Sequence, residues 1–255
     1  MAEPAAARIM AHLVAGYPDL EGSLAAALGL AEGGASYLEL QFPFSDPTAD
    51  GPLIQKACDV ALAGGFRVEA GFGLLARIRE ASGLPVFLMS YAGLVVRRGV
   101  PAFLQRAREA GAAGLIVPDL PVDCDEGLYE GGRALGLQIV PVAAPDTRPR
   151  RQALMAATGA QYLYAALRRG ITGERTAIGA ENLAFLSEVG GLGWKVLAGF
   201  GVRSREQVLA LAPRVHAVVV GSRFVEAVGS AAGRPGGGPG AVRQAARQAV
   251  AALLP

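Results

Sequence analysis

The stretch from Leu38 to Pro52 holds the densest set of groups able to move a proton. Glu39 closes a short apolar run, and the turn-rich loop after it carries two further acids, Asp46 and Asp50. Core packing accounts for an apolar strand but not for a loop so rich in acids and prolines. A carboxyl where an apolar strand meets its loop is expected to be held partly dry, and desolvation is one way a carboxyl acquires a pKa suited to proton transfer. The plainer reading makes Glu39 a helix N-cap or half of a salt bridge, and this stretch alone leaves both readings open.

A second kind of chemistry is carried by glycine. Gly170-Ile171-Thr172-Gly173, Gly199-Phe200-Gly201 and Gly221-Ser222 each follow an apolar run late in the chain. Glycine lets backbone N–H groups approach an anion, and the start of a helix adds partial positive charge. Three such segments in succession favour a phosphate site over simple tight turns. Arg168-Arg169 open a polar loop, Leu167–Gly179, that reads as a lid over substrate or as an ordinary solvated loop. His12 lies in an apolar run and reads equally as a cavity residue or a hydrogen-bonded interior histidine. Trp194 reads as packing.

Eight apolar runs are spaced to position these groups: Ile9–Ala15, Tyr37–Leu40, Pro85–Ser90, Gly114–Val117, Gln138–Val142, Tyr162–Ala165, Lys195–Ala198 and Ala217–Val220. They are continuous rather than alternating, as in strands buried on both faces. Helical patterns separate them, over Leu20–Ala31 (with Asp19 as its cap), Leu53–Leu62, Val68–Ala81, Pro101–Ala110, Glu126–Leu135, Arg150–Ala157, Glu181–Glu188 and Ser204–Leu211. A short helix over Arg223–Val228 and a final one over Ala241–Leu254 flank the glycine-rich tract Gly229–Gly240, which reads as a flexible connection. Eight strand–helix units predict a (β/α)8 TIM barrel, a single domain over residues 1–255 with a short N-terminal arm. The first strand–helix turn, Ala15-Gly16-Tyr17-Pro18, lacks the GxGxxG loop that an open dinucleotide-binding sheet would carry. In a barrel the carboxyl ends of the strands bear the chemistry, and reading them in order gives Gly16, Glu39, Tyr91, Asp119, Pro145, Tyr164, Gly199 and Gly221.

Composition narrows the function classes. The 255 residues are 52% hydrophobic, enough for a large core. Twenty-four basic against 22 acidic residues give a formal charge of +2, and the arginines are scattered rather than striped, which speaks against nucleic-acid binding. Two cysteines, Cys58 and Cys124, are too few for a disulfide scaffold, and with two histidines no metal-ligand spacing arises, so no metal is expected. No apolar run is long enough to span a bilayer and no signal segment is evident, so a cytoplasmic protein is expected.

Taken together, the motifs resemble those of the tryptophan synthase α subunit family over nearly the whole chain. The most specific match is Pro43-Phe44-Ser45-Asp46-Pro47 followed by Ala49-Asp50-Gly51-Pro52. Val117-Pro118-Asp119-Leu120-Pro121 and the three glycine segments follow in the family's order and spacing. The resemblance implies retro-aldol cleavage of indole-3-glycerol phosphate to indole and glyceraldehyde 3-phosphate, with no metal. It implies Glu39 as general acid/base at indole C3 and at the glycerol hydroxyl, and Asp50 as the acid that binds the indole N–H. It further implies that Met89, Ile116, Tyr164, Phe200 and Val219 line the indole pocket and that Thr172 is the lid threonine that contacts Asp50. By the same resemblance, Gly173, Gly201, Gly221 and Ser222 should hold the phosphate. The partner implied is a β subunit carrying pyridoxal phosphate, in an α2β2 assembly that meets this chain around Asp46; the cofactor would not belong to this chain.

The chain departs from the family at several places. Gln41 stands where the family usually has Gly, Gly93 where Asn is common, Val14 for Thr, His12 for an aromatic and Arg203 for a small hydroxyl residue. These bear on pocket shape and on coupling to the β subunit, not on the fold. Two rival functions are another phosphate-binding barrel enzyme acting on a sugar phosphate, and a non-catalytic barrel that binds a partner.

Overall fold

The computed structural model describes residues 7–167 and 178–254. Nine parallel strands run in the order β5-β4-β3-β2-β1-β9-β8-β7-β6. They are β1 (Ile9–Val14), β2 (Tyr37–Gln41), β3 (Val86–Met89), β4 (Gly114–Ile116), β5 (Gln138–Val140), β6 (Val142–Ala143), β7 (Tyr162–Ala166), β8 (Lys195–Gly199) and β9 (Ala217–Val220). β5 and β6 are separated only by Pro141, which has no N–H to give to a ladder. The Pro141 carbonyl still accepts from Tyr164 N at 2.9 Å. The two pieces are therefore one barrel strand, and the count returns to the eight expected.

Alternation along each strand explains why the runs read as continuously apolar. Ile9, Ala11 and Leu13 of β1, Leu38 and Leu40 of β2, and Val218 and Val220 of β9 face outward into the main core beneath the helices. Met10, Phe87, Met89, Ile116, Val140, Tyr164, Leu197 and Val219 face inward and form a second core inside the barrel. Both faces are dry, so both parities are apolar. On β2 the inward parity carries Tyr37, Glu39 and Gln41, and this is where polar groups enter the barrel.

The outer ring is built from α1 (Leu20–Glu32), α2 (Pro52–Ala63), α3 (Val68–Ser82), α4 (Ala92–Arg97), α5 (Val100–Glu109), α6 (Leu128–Ala134), α7 (Pro149–Ala157), α8 (Ala180–Gly190), α9 (Arg205–Leu211), α10 (Ser222–Ala232) and α11 (Pro239–Ala251). Asp19 caps α1 as expected, its Oδ1 accepting from Gly22 N at 2.7 Å. α11 packs back onto α1 and so closes the ring. The approach is backbone-close: a Cβ at Gly29 would lie 2.1 Å from the Arg243 carbonyl oxygen, so only glycine fits that crossing.

Three elements differ from the sequence reading. α4 is an additional short helix; the Asp119 carboxylate accepts from Ala92 N at 2.8 Å and holds its first turn. α10 runs to Ala232, so Gly229 lies inside a helix and the flexible connection shrinks to residues 233–238. β2 continues through Gln41, which places Glu39 two residues inside the strand rather than at its end.

Candidate active site

One cavity opens at the carboxyl ends of the strands, with about 630 Å³ of space counted together with the open solvent at its mouth. Its floor is set by register. His12 on β1 pairs with Glu39 on β2, and His12 Nδ1 lies 3.0 Å from Glu39 Oε2. Both side chains are buried. Burial disfavours charge on the His12 imidazole, but the hydrogen bond to Glu39 and the charges of Glu39 and Asp50 outweigh it and raise its pKa above the ordinary value.

Asp50 reaches the same cavity from the loop between β2 and α2, just before the N-cap Gly51. Two donors converge on its Oδ2: Gln41 Nε2 at 2.7 Å and Tyr91 Oη at 2.9 Å. Tyr91 Oη in turn accepts from Ala49 N at 3.1 Å, and Gln55 Nε2 donates to the Asp50 carbonyl at 2.7 Å. Burial raises the Asp50 pKa; His12, Gln41 and Tyr91 work against that, and the Glu39 charge adds to it. Tyr91 is held neutral by burial and by the Asp50 charge and hydrogen bond. Behind Gln41, the Cys58 thiol is pushed up to about 12 by burial, so it stays protonated.

The remaining wall has two characters. Met89, Ile116, Val142, Tyr164, Phe200 and Val219 make an apolar slot. Phe200 stands edge-on to Tyr164, ring centroids 5.9 Å apart. Its φ of +76° is left-handed, a conformation that costs a non-glycine residue about 1–2 kcal/mol. Strain of this kind collects at ligand sites, where surrounding structure over-determines it. Beyond the slot, Gly201, Gly221 and Ser222 form an end lined by backbone, with Gly221 at the N-terminus of α10 and Arg203 beside it. N–H groups at such a helix start suit an anion.

The cavity thus gathers Glu39, Asp50, Met89, Ile116, Tyr164, Phe200, Val219, Gly201, Gly221 and Ser222. Thr172 and Gly173, with the rest of the segment from Arg168, lie outside the described residues. Asp46 is on the outer rim, exposed and bonded to Ser45 Oγ at 2.6 Å. Asp119 is absent from the lining and serves α4 instead, while its neighbour Pro118 does line the cavity. Trp194 packs against the core, and His12 is both a cavity residue and hydrogen-bonded. Val142 was legible from its parity with Val140. The role of Tyr91 was not, since nothing local links it to a loop 41 residues earlier.

A barrel with two buried carboxylates beside an apolar slot and a glycine end suited to an anion fits the class of enzymes that work on a phosphorylated substrate with an aromatic or apolar body. Comparison with known proteins is more specific. The family model described as tryptophan synthase alpha chain matches residues 1–250, and the chain belongs to that family. The tryptophan synthase alpha chain of Helicobacter hepaticus is 40% identical over 228 residues, covering 87% of this chain and 85% of the relative. That of Carboxydothermus hydrogenoformans is 38% identical over 221 residues, covering 86% and 83%. Among solved structures, a chain of Mycobacterium tuberculosis tryptophan synthase superposes with a TM-score of 0.86 at 32% identity, covering 97% of this chain and 91% of that one. A chain of the Pyrococcus furiosus tryptophan synthase complex gives 0.85 at 32%, covering 97% and 98%. The family's α chain is the carbon–carbon lyase that cleaves indole-3-glycerol phosphate in tryptophan biosynthesis. It works beside a β chain that holds the pyridoxal phosphate.

Proposed function

We propose that Glu39 and Asp50 perform the retro-aldol step in this cavity. Glu39 protonates indole C3 and takes the proton of the glycerol hydroxyl, while Asp50 accepts the indole N–H and balances charge that develops on the ring. Breaking the carbon–carbon bond needs a proton at C3 and electron supply from N1, and two carboxylates meet the two needs. Met89, Ile116, Tyr164, Phe200 and Val219 take the indole. Gly201, Gly221 and Ser222 take the phosphate, joined by Gly173, with Thr172 as the lid residue. Residues 1–255 act as one domain, in the cytoplasm. The β chain meets the rim around Asp46, in an α2β2 assembly.

The observation that carries this reading is the joint burial of Glu39 and Asp50 in one cavity with an apolar slot and a glycine end. Incubation of the purified chain with indole-3-glycerol phosphate tests it, with and without the cognate β chain. Indole and glyceraldehyde 3-phosphate should appear in equal amounts, faster with the partner as binding shifts mobile loops toward the closed state. No indole under either condition would leave a different phosphate enzyme or a non-catalytic barrel as the better account.

A further inference from the structure

Glu39 is not alone on the cavity floor. His12 lies beside it in register, 3.0 Å away, and both are buried. The second ring nitrogen, Nε2, is also buried and has no hydrogen-bond partner among the described residues. Space for the ring is made by Gly221, where a Cβ would come within 3.3 Å of the imidazole Cδ2. A hydrocarbon ring would fill that space with no polar cost, whereas a buried imidazole carries one unless it is used.

We propose that His12 is a positioning residue for Glu39, and that the two side chains form a pair carrying one proton through cleavage. The proposal rests on Glu39 being the acid/base. Cleavage asks one carboxyl both to give a proton to C3 and to accept one from the hydroxyl. A lone carboxyl can do both in turn, since giving its proton leaves it ionised for the second task, but only if it begins protonated, and a carboxyl is ordinarily ionised near neutral pH. The resting pair instead holds one proton between Nδ1 and Oε2. That proton passes from Oε2 to C3, leaving an ionised Glu39 and a neutral His12. The bond between C3 and the hydroxyl-bearing carbon then breaks, and its electron pair returns to the indole ring. The hydroxyl proton moves to Glu39 as that carbon becomes a carbonyl. One proton has left and one has returned, so the charge of the pair is restored.

The titratable and charged groups around His12 agree with this. Glu39 comes from β2 and Asp50 from the loop behind it; Tyr164 of β7 and Arg203 after β8 line the same cavity, and Tyr17 lines a small pocket on the other side of β1. The two carboxylates outweigh burial and favour the imidazolium.

Nitrogen-15 NMR of histidine-labelled protein tests the pair without relying on turnover. The chain has two histidines, His12 and His216, so assignment needs one variant, His216→Gln. His12 should titrate above the ordinary histidine value in the native chain, and its midpoint should fall by about one pH unit or more in Glu39→Gln. His216 is lowered by burial and then by Arg8 and Lys195, and it should not respond. In kinetics, His12→Phe should lower kcat about tenfold or more, with KM changed less than about threefold, and should shift to lower pH the limb on which activity falls as pH rises, since that limb reports loss of the pair's proton. His12→Asn, which keeps a donor toward Glu39, should recover part of kcat but not that limb. An unchanged His12 midpoint in Glu39→Gln, or a native kcat and pH profile in His12→Phe, overturns the proposal. Retained turnover in Glu39→Gln defeats the acid/base reading of Glu39 instead; turnover lost there but kept in His12→Phe defeats the role of His12 alone. If His12→Phe does not fold, the NMR comparison, which keeps His12, decides.

Discussion

The two acids of the cavity are placed by different means. Glu39 stands inside β2, where backbone register fixes it against β1 and His12 meets it. Asp50 stands on a loop, and two donors must reach it, Gln41 from β2 and Tyr91 from the start of α4. A strand holds its residue through the sheet around it. A loop residue stays in place only as far as its tethers allow. The difference teaches where the site is adjustable: changes near Glu39 act on its chemistry, while changes near Asp50 act on how often it is in position.

Variants break or sharpen that contrast in a definite order. The largest effect is expected for Glu39→Gln, which keeps shape and removes proton transfer; kcat for indole release should fall at least about a hundredfold while ligand binding persists. Asp50→Asn keeps the hydrogen bond from Tyr91 but loses the charge that answers the indole N–H, and kcat should fall about tenfold to a hundredfold. At the other end of the cavity, Ser222→Asp sets a negative charge at the start of α10. It should raise KM for the phosphate substrate roughly tenfold with kcat little changed, read from initial rates. Smallest are the tethers. Gln41→Gly and Tyr91→Phe each remove one hydrogen bond to a charged group and should cost about fivefold in kcat. Because both bonds end on Asp50 Oδ2, the double variant should depart from the product of the single losses. If the double variant instead matches the native chain, Asp50 needs no tethers and the contrast fails.

Much of the scaffold was legible because its signals are local. Apolar runs and Asp19 as a cap set most elements within a residue or two. What escaped depends on contacts far apart in the chain. The helix α4 has only six residues and owes its first turn to Asp119, 27 positions on. Pro141 interrupts the ladder without ending the strand, which the run Gln138–Val142 had already implied. The left-handed φ of Phe200 is announced by no residue preference. Glu39 was set at the strand end, since Gln41 reads as a loop residue until Asp50 and Cys58 are seen to surround it. The apolar slot was identified through family resemblance. Inward parity on the strands would have reached Met89, Ile116 and Val219 but not the indole-binding role that the resemblance implies for them.

The most direct test of the whole site is the crystal structure of Glu39→Gln soaked with indole-3-glycerol phosphate, a variant expected to bind substrate without cleaving it. The account predicts intact substrate, the indole N–H within hydrogen-bond distance of Asp50, the ring between Tyr164 and Phe200, and the phosphate on the backbone of Gly201, Gly221 and Ser222. A phosphate bound elsewhere, or an indole ring turned so that Asp50 meets no nitrogen, would contradict it.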